Sequence, residues 1–377
     1  MTRRVVDPLL PTTMVGSYPR PQWYTYQLHG RDIWDAFKVR PHHEAFVDCV
    51  RALLKDQENA GLDIVTDGQV WFDDYGGAIG SFVWYWYERI PGFSAVKHVR
   101  PNVVKGGGSD YDIERWTEWG GSAVTGPVER GPLHLADLFR IAQRNTQKPV
   151  KMSVGAGAIN LGYHVYLDYC KSIKDLAYAL APIFNSELKE LVAAGCQFIQ
   201  YEDLGAWLPI NTGNKDDAKW VVDVVNRIVD GVDAKIAWHF CYGNNSGSAA
   251  THAWGANQGY AAALPYLQDA NVHQFVLDFA LRKMADIDAL QHLAADKEVA
   301  VGVIDVRTTQ IETPEIVADR IRKVVEVVPE ERVYLTTDCG MRHLPRFNAY
   351  SKLKAMAHGA QIVRRELAGE SAGMPTV

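Results

Sequence analysis

The sequence predicts an α/β fold, a (β/α)8 TIM barrel with a long aromatic insertion after its second strand. Three observations support this reading. Short β-branched runs alternate with longer stretches of helical periodicity, the pattern of repeated β-α units around a parallel sheet. Eight such runs occur within 377 residues, a length that suits one large barrel with a sizeable core. A polar or ionisable residue follows nearly every run, and the C-terminal strand ends are where such a barrel gathers its function.

The predicted strands are Thr13 to Val15, Leu62 to Thr66, Val150 to Val154, Phe198 to Tyr201, Lys235 to Phe240, Gln274 to Leu277, Val299 to Ile304 and Val333 to Thr336. Between them, His43 to Ala60, Ile173 to Ala194, Lys215 to Val229, Pro314 to Val328 and Asn348 to Leu367 repeat apolar residues at helical spacing. Thr313-Pro314-Glu315 reads as a cap and first turn, while Gly61, Gly195 and Gly231 read as helix ends. In order, the strand ends carry Gly16-Ser17, Asp67-Gly68-Gln69, Gly155, Glu202-Asp203, His239 with Cys241, Asp278, Asp305 with Arg307, and Asp338-Cys339. The interior layers of a barrel are expected to be apolar, so this series points to function. Asp67 and Asp338 equally suit capping of the helices that follow.

The longest departure from the repeat is the stretch 70–130, well beyond an ordinary connection. It holds Trp71, Phe72, Tyr75, Phe82, Trp84, Tyr85, Trp86 and Tyr87, then Trp116 and Trp119. So aromatic a segment is expected to fold as a hairpin over the barrel mouth, and also to supply a subunit interface, making the protein a homo-oligomer. Lys105-Gly106-Gly107-Gly108-Ser109 within it reads as a turn, because no strand-to-helix transition surrounds it. Residues 1–377 are expected to form a single catalytic domain with 70–130 inserted in it, and the tail from Gly369 is expected to fray.

Composition excludes several classes. A formal charge of -6 argues against nucleic-acid and anionic-membrane partners. The opening Met1-Thr2-Arg3-Arg4 is not followed by an apolar signal segment, and no later run is long enough to span a bilayer, so a cytoplasmic location is expected. The cysteines, at 49, 170, 196, 241 and 339, are too few and scattered for a disulfide framework. Metal binding is the more plausible use for some of them. On an extended strand His239 and Cys241 project from the same side. Cys339, at the end of another apolar strand, offers a second thiolate. Two thiolates and one imidazole suit zinc and leave a position open for a substrate. A lone H-x-C also fits two buried core residues, since Cys and His are both often buried.

Taken together, several ordered motifs resemble the C-terminal catalytic barrel of cobalamin-independent methionine synthase. They are Thr12-Thr13-Met14-Val15-Gly16-Ser17-Tyr18-Pro19, Ile64-Val65-Thr66-Asp67-Gly68, Phe198-Ile199-Gln200, His239 with Cys241-Tyr242, Gly302-Val303-Ile304-Asp305 and Asp338-Cys339-Gly340. The resemblance spans nearly the whole chain and implies a zinc site that binds a substrate thiol as thiolate for attack on an electrophilic carbon. Its ligands would be His239, Cys241 and Cys339, with Asp278 where the family usually has Glu. The resemblance also marks departures. Gln69 stands where homocysteine-using members have Glu, Glu202-Asp203-Leu204 replaces an Asp-Glu-Pro sequence, and Arg307 replaces a His after Asp305.

Losing an acid at position 69 weakens recognition of an ammonium group, and Arg307 suits an anion. These changes favour an anionic thiol and a branch resembling epoxyalkane:coenzyme M transferase (2-hydroxypropyl-coenzyme M lyase type), in which coenzyme M thiolate opens a small epoxide. Ser17, Gln69 and Arg307 would then hold the sulfonate, with Glu202, Asp203 and Asp305 also lining the substrate. The alkoxide would be protonated or held by Tyr242, His343, His252 or Arg307. The alternative is methyl transfer to homocysteine or another thiol from methyltetrahydrofolate or a methylated corrinoid.

Overall fold

The computed structural model describes residues 4–24, 40–72, 83–94, 98–99, 120–163, 165–206, 215–240 and 259–370. Its main sheet has seven parallel strands in the order β1 (Val65–Thr66), β4 (Val150–Val154), β6 (Phe198–Glu202), β7 (Lys235–His239), β8 (Gln274–Asp278), β9 (Glu298–Ile304) and β10 (Val333–Thr337). The N-terminal segment lies between the two edges of this sheet. On one side Thr13 donates to the Leu335 carbonyl at 2.9 Å and Leu335 to that of Pro11 at 2.8 Å; on the other, Ile64 donates to Thr12 at 3.1 Å. The segment of the first predicted strand, Thr13 to Val15, therefore joins β10 to the approach of β1 and closes the ring, which removes the sheet edges.

The helices form where the apolar spacing predicts them. Helix α1 (Arg40–Ala60) buries Phe46, Cys49, Val50, Leu53, Leu54 and Gln57 on one face. Gln57 is also bonded to both backbone groups of Thr66, its Oε1 accepting from Thr66 N at 2.8 Å and its Nε2 donating to Thr66 O at 2.9 Å. These bonds satisfy a short strand's backbone. Next come α2 (Leu135–Gln143), α3 (Ala158–Tyr163), α4 (Ile173–Ala193), α5 (Lys215–Val229), α6 (Leu264–Leu267), α7 (Pro314–Val325) and α8 (Arg346–Leu367). Thr313 caps α7, its hydroxyl accepting from Ile316 N at 3.3 Å, and Gly61, Gly195 and Gly231 adopt positive φ just past helix ends.

The apolar core lies chiefly between the helices and the outer face of the barrel, with a smaller cluster of Val15, Ile64, Phe198, Ala237, Val276, Ala300 and Tyr334 inside it. The interior is not uniformly apolar, which corrects the expectation above. Lys235, at the start of β7, forms a fully buried ion pair with Glu298 and donates to Tyr334 Oη at 2.8 Å, and Gln274 donates to Glu298 at 3.1 Å. Higher up, Lys151 and Gln200 are also buried. The Lys235–Glu298 pair balances its own charges, while Lys151 donates to the neutral amide oxygen of Gln200 at 2.6 Å.

Part of the insertion forms a small second sheet, in which β2 (His98–Val99) pairs antiparallel with β3 (Gly120–Ala123) and β3 pairs parallel with β5 (Val165–Tyr166). The residues that would link β2 to β3, 100–119, lie outside the described residues, and so does the expected hairpin over the barrel mouth. Trp84 to Tyr87, however, are buried within the chain: Trp86 stacks on Phe184 of α4 with centroids 4.7 Å apart, Tyr85 Oη donates to Leu133 O at 2.6 Å and Tyr87 Oη to Leu161 O at 3.0 Å. That run is core and offers no surface to a partner subunit. Tyr75, Phe82, Trp116, Trp119 and the glycine-rich stretch 105–109 lie outside the described residues, as does the tail from 371. Among the described residues, no helix is long and apolar enough to cross a membrane.

Candidate active site at the C-terminal rim of the barrel

The barrel order carries the rim residues around a single ring. Ser17 leads from the N-terminal segment, followed by Gln69 after β1, Glu202 ending β6, His239 ending β7, Asp278 ending β8, Asp305 after β9 and Cys339 after β10. Register fixes the neighbours. Glu202 pairs with His239, His239 with Val276, and Asp278 with Gly302.

His239 is buried, and its Nδ1 lies 3.0 Å from the Val276 carbonyl. A carbonyl can only accept, so Nδ1 carries the proton and Nε2 is the lone-pair nitrogen, the tautomer that ligates metals. Cys241 and Tyr242 lie outside the described residues, as does His252. Cys339 is half-buried, and its carbonyl accepts from the Thr337 hydroxyl at 2.8 Å. Gly302 separates β8 from β10 at the level of Asp278. A Cβ built there would come 2.2 Å from Asp338 Oδ1 and 3.1 Å from the Asp278 Cα, so the absence of a side chain makes room for both acids. Imidazole, carboxylate and thiol thus stand at the ends of β7, β8 and β10, but among the described residues no three such side chains are grouped closely enough to hold a metal ion.

The acids divide into those that build the rim and those that face its centre. Asp338 accepts from Phe279 N and Ala280 N at 3.0 Å and from Leu281 N at 2.7 Å, so its carboxylate shapes the turn after β8. Burial, with Asp278 and Asp305 nearby, still drives its pKa well above the usual carboxylate range. Asp203 accepts from Ile159 N at 3.0 Å, Asn160 N at 2.9 Å and Tyr201 Oη at 2.8 Å, which places it at the start of α3. Burial pushes it up to about 6 despite those donors. Asp67 shapes the turn after β1, accepting from Gln69 N at 3.0 Å and Trp71 Nε1 at 2.7 Å, and burial likewise raises it to about 6. Asp67 and Asp338 thus do structural work, while Asp203 anchors a helix from a neighbouring unit.

Glu202 faces inward. Its Oε2 accepts from Gln69 Nε2 at 3.2 Å and its Oε1 from Gln200 Nε2 at 2.9 Å. Gln200 also donates to Val15 O at 2.8 Å, and its Oε1 accepts from Lys151 Nζ at 2.6 Å. Burial raises the Glu202 pKa, and His239, Gln69, Lys151 and Gln200 oppose the rise. The backbone at Gln69 has φ 47°, held by the Asp67 turn, and this aims its amide back into the barrel.

On the opposite side, Arg307 is half-buried beside Asp305, Asp338 and Asp278, and desolvation lowers its pKa against their pull. Asp305 Oδ1 accepts from Arg307 N at 2.9 Å. His343 Nε2 meets the Val306 carbonyl at 2.7 Å, which ties it to the loop after β9. Ser17 packs on Gly340, where a Cβ would come 2.0 Å from its Oγ, and its carbonyl accepts from Met341 N at 2.7 Å. Lys151, Gln200 and Tyr260 complete the surroundings and were not singled out as site residues from the sequence. A lysine inside the apolar run Val150 to Val154 was the available signal for the first. Tyr260 opens a single short 3-10 turn, Tyr260–Ala262, that no sequence pattern marks.

A closed parallel barrel with ionisable groups gathered on its C-terminal rim defines a TIM-barrel protein with an enzyme-like site. The model of the cobalamin-independent synthase catalytic domain matches residues 10–362, and the chain belongs to that family. It is 34% identical over 368 residues to a methionine synthase of Saccharolobus islandicus (strain Y.N.15.51 / Yellowstone #2), covering 96% of each chain. A methionine synthase of Sulfurisphaera tokodaii is 33% identical over 363 residues, covering 96% of this chain and 94% of the relative. Among solved structures, a B12-independent methionine synthase from Shewanella sp. W3-18-1 in complex with selenomethionine superposes with a TM-score of 0.78 at 30% identity, covering 96% of this chain and 99% of that one.

Proposed function

We propose that the protein is a zinc-dependent thiol methyltransferase of the methionine synthase type, with homocysteine as the thiol. The carrying observation is the register pairing of Glu202 with His239. A carboxylate able to hold an ammonium group thus lies beside an imidazole able to help hold sulfur, and an amino thiol has those two ends a few bonds apart. His239, Cys241 and Cys339, with Asp278, are the proposed ligands. Zinc bound there would lower the pKa of the thiol and hold its sulfur as thiolate.

The chain's own groups supply position and charge. Gln69 and Gln200 fix both oxygens of Glu202, so the carboxylate is pre-aimed at a cation. Ser17, beside the Cys339 turn, is proposed to bind the substrate carboxylate. Arg307 already has three carboxylates around it, which reduces the attraction it can offer an incoming anion. This electrostatic balance, and the names of the relatives, favour methyl transfer over epoxide opening with coenzyme M, which has no such support.

The test supplies zinc-loaded protein with homocysteine and, in separate reactions, methyltetrahydrofolate or a methylcorrinoid, and measures methionine. Parallel reactions combine coenzyme M with a small epoxide and measure thiol loss. Methionine formation that a chelator stops and zinc restores supports the proposal. Thiol loss only in the epoxide reactions would overturn it.

A further inference from the structure

The inward face of β6 carries Phe198, Gln200 and Glu202 in order toward the rim, because alternate residues of a strand share a face. Gln200 is fully buried, and both polar atoms of its side-chain amide are engaged. Nε2 donates to Glu202 Oε1 at 2.9 Å and to the Val15 carbonyl at 2.8 Å, while Oε1 accepts from Lys151 Nζ at 2.6 Å. A flipped amide would set its oxygen against two other acceptors, so the orientation is fixed. Val15 is itself held, its N donating to Thr337 Oγ1 at 3.2 Å and its carbonyl also accepting from the Ser153 hydroxyl. Two residues on, Ser17 packs against Gly340. One amide therefore ties Glu202, proposed above for the substrate's ammonium group, to the segment carrying Ser17, proposed for its carboxylate.

We propose that Gln200 is a positioning residue that fixes the spacing between the ammonium and carboxylate contacts of the amino-acid site, with Lys151 holding its amide in place. This rests on the amino-thiol reading given above and adds to it a selection for ligands that carry both groups at once. Lys151 reaches the amide from β4, the strand that pairs with β6. A ligand held at one end can follow a displaced contact. One held at both ends binds well only where the two contacts keep their spacing, because the site is then ordered before the ligand arrives.

The experiment measures by calorimetry the affinity of the purified protein for three probes. L-Methionine carries both groups, 4-(methylthio)butyrate lacks the ammonium, and 3-(methylthio)propylamine lacks the carboxylate. In Gln200→Leu the affinity for L-methionine should fall about tenfold, while that for each analogue should change by no more than about twofold. An unchanged affinity for L-methionine overturns the proposal. So does an equal loss for L-methionine and either analogue, which makes Gln200 a packing residue or the support of one contact alone. Gln200→Leu leaves the Lys151 amine without its acceptor. Should that variant fail to fold, the double variant Lys151→Met with Gln200→Leu removes donor and acceptor together and carries the same expectations. A wild type that binds no L-methionine overturns the amino-thiol reading and this inference with it, whereas a methionine-binding wild type whose selectivity survives the substitution overturns this inference alone.

Discussion

Gln69 donates from Nε2 to Oε2 of Glu202 at 3.2 Å, inside the rim of the barrel and shielded from water. In Gln69→Glu the donor becomes a second carboxylate facing the first. Two such acids cannot both ionise cheaply unless a cation lies between them. An ammonium-bearing thiol should therefore gain relative to one without it. The ratio of kcat/KM for homocysteine to that for 4-mercaptobutyrate is expected to rise about tenfold, the equivalent of one charge-assisted hydrogen bond. An unchanged ratio would argue that Glu202 does not meet the substrate's amino group.

Cys241→Ser and Cys339→Ser are each expected to lower zinc affinity by at least ~100-fold and to abolish thiol methylation, because a hydroxyl does not replace a thiolate on this metal. His343→Ala is the contrast. Its ring is bonded to the Val306 carbonyl, so zinc content should persist. Metal analysis of the purified variants separates the two outcomes, and stoichiometric zinc in either Cys variant would refute the ligand assignment.

Gly302→Ala places a methyl group 2.2 Å from Asp338 Oδ1 and 2.9 Å from its Cα. Asp338 cannot move without loosening the three backbone N–H groups it accepts after β8. A loss of about 1–3 kcal/mol is expected, seen as a lower denaturant midpoint at unchanged slope.

Lys151 gives a signed pH dependence. Burial pushes its pKa down to about 7 from 10.5, opposed by Glu202. Between those two values the unfolded chain holds the proton and the folded chain does not, so this residue makes stability rise with pH from about 7 to 10.5. Below pH 7 the cost of keeping it charged inside the barrel is fully present, on the order of a few kcal/mol. Lys151→Met should flatten the stability curve across that window, which denaturant titrations at several pH values would reveal. A curve unchanged by the substitution would mean that Lys151 is ordinarily solvated.

The sequence by itself determined the barrel. Short runs such as Val150 to Val154 and Val299 to Ile304, set between longer helical stretches, suit strands, and Thr313-Pro314 and Gly61 mark helix ends by local backbone chemistry. It also placed His239, Glu202, Asp278 and Cys339 at strand ends, because strand periodicity and barrel topology are enough to do so. Which acids face substrate was decided only by tertiary contacts. Asp203 bonds to backbone N–H groups more than forty residues away and Asp338 to the turn after β8, while Glu202 is held by Gln69, which arrives from the turn after β1, together with Gln200 of its own strand. The same holds for Tyr260, whose position comes from Phe279, Phe240 and Arg282 closing around it. A carboxylate's role depends on which donors surround it, and no local pattern along the chain encodes donors that arrive from distant strands.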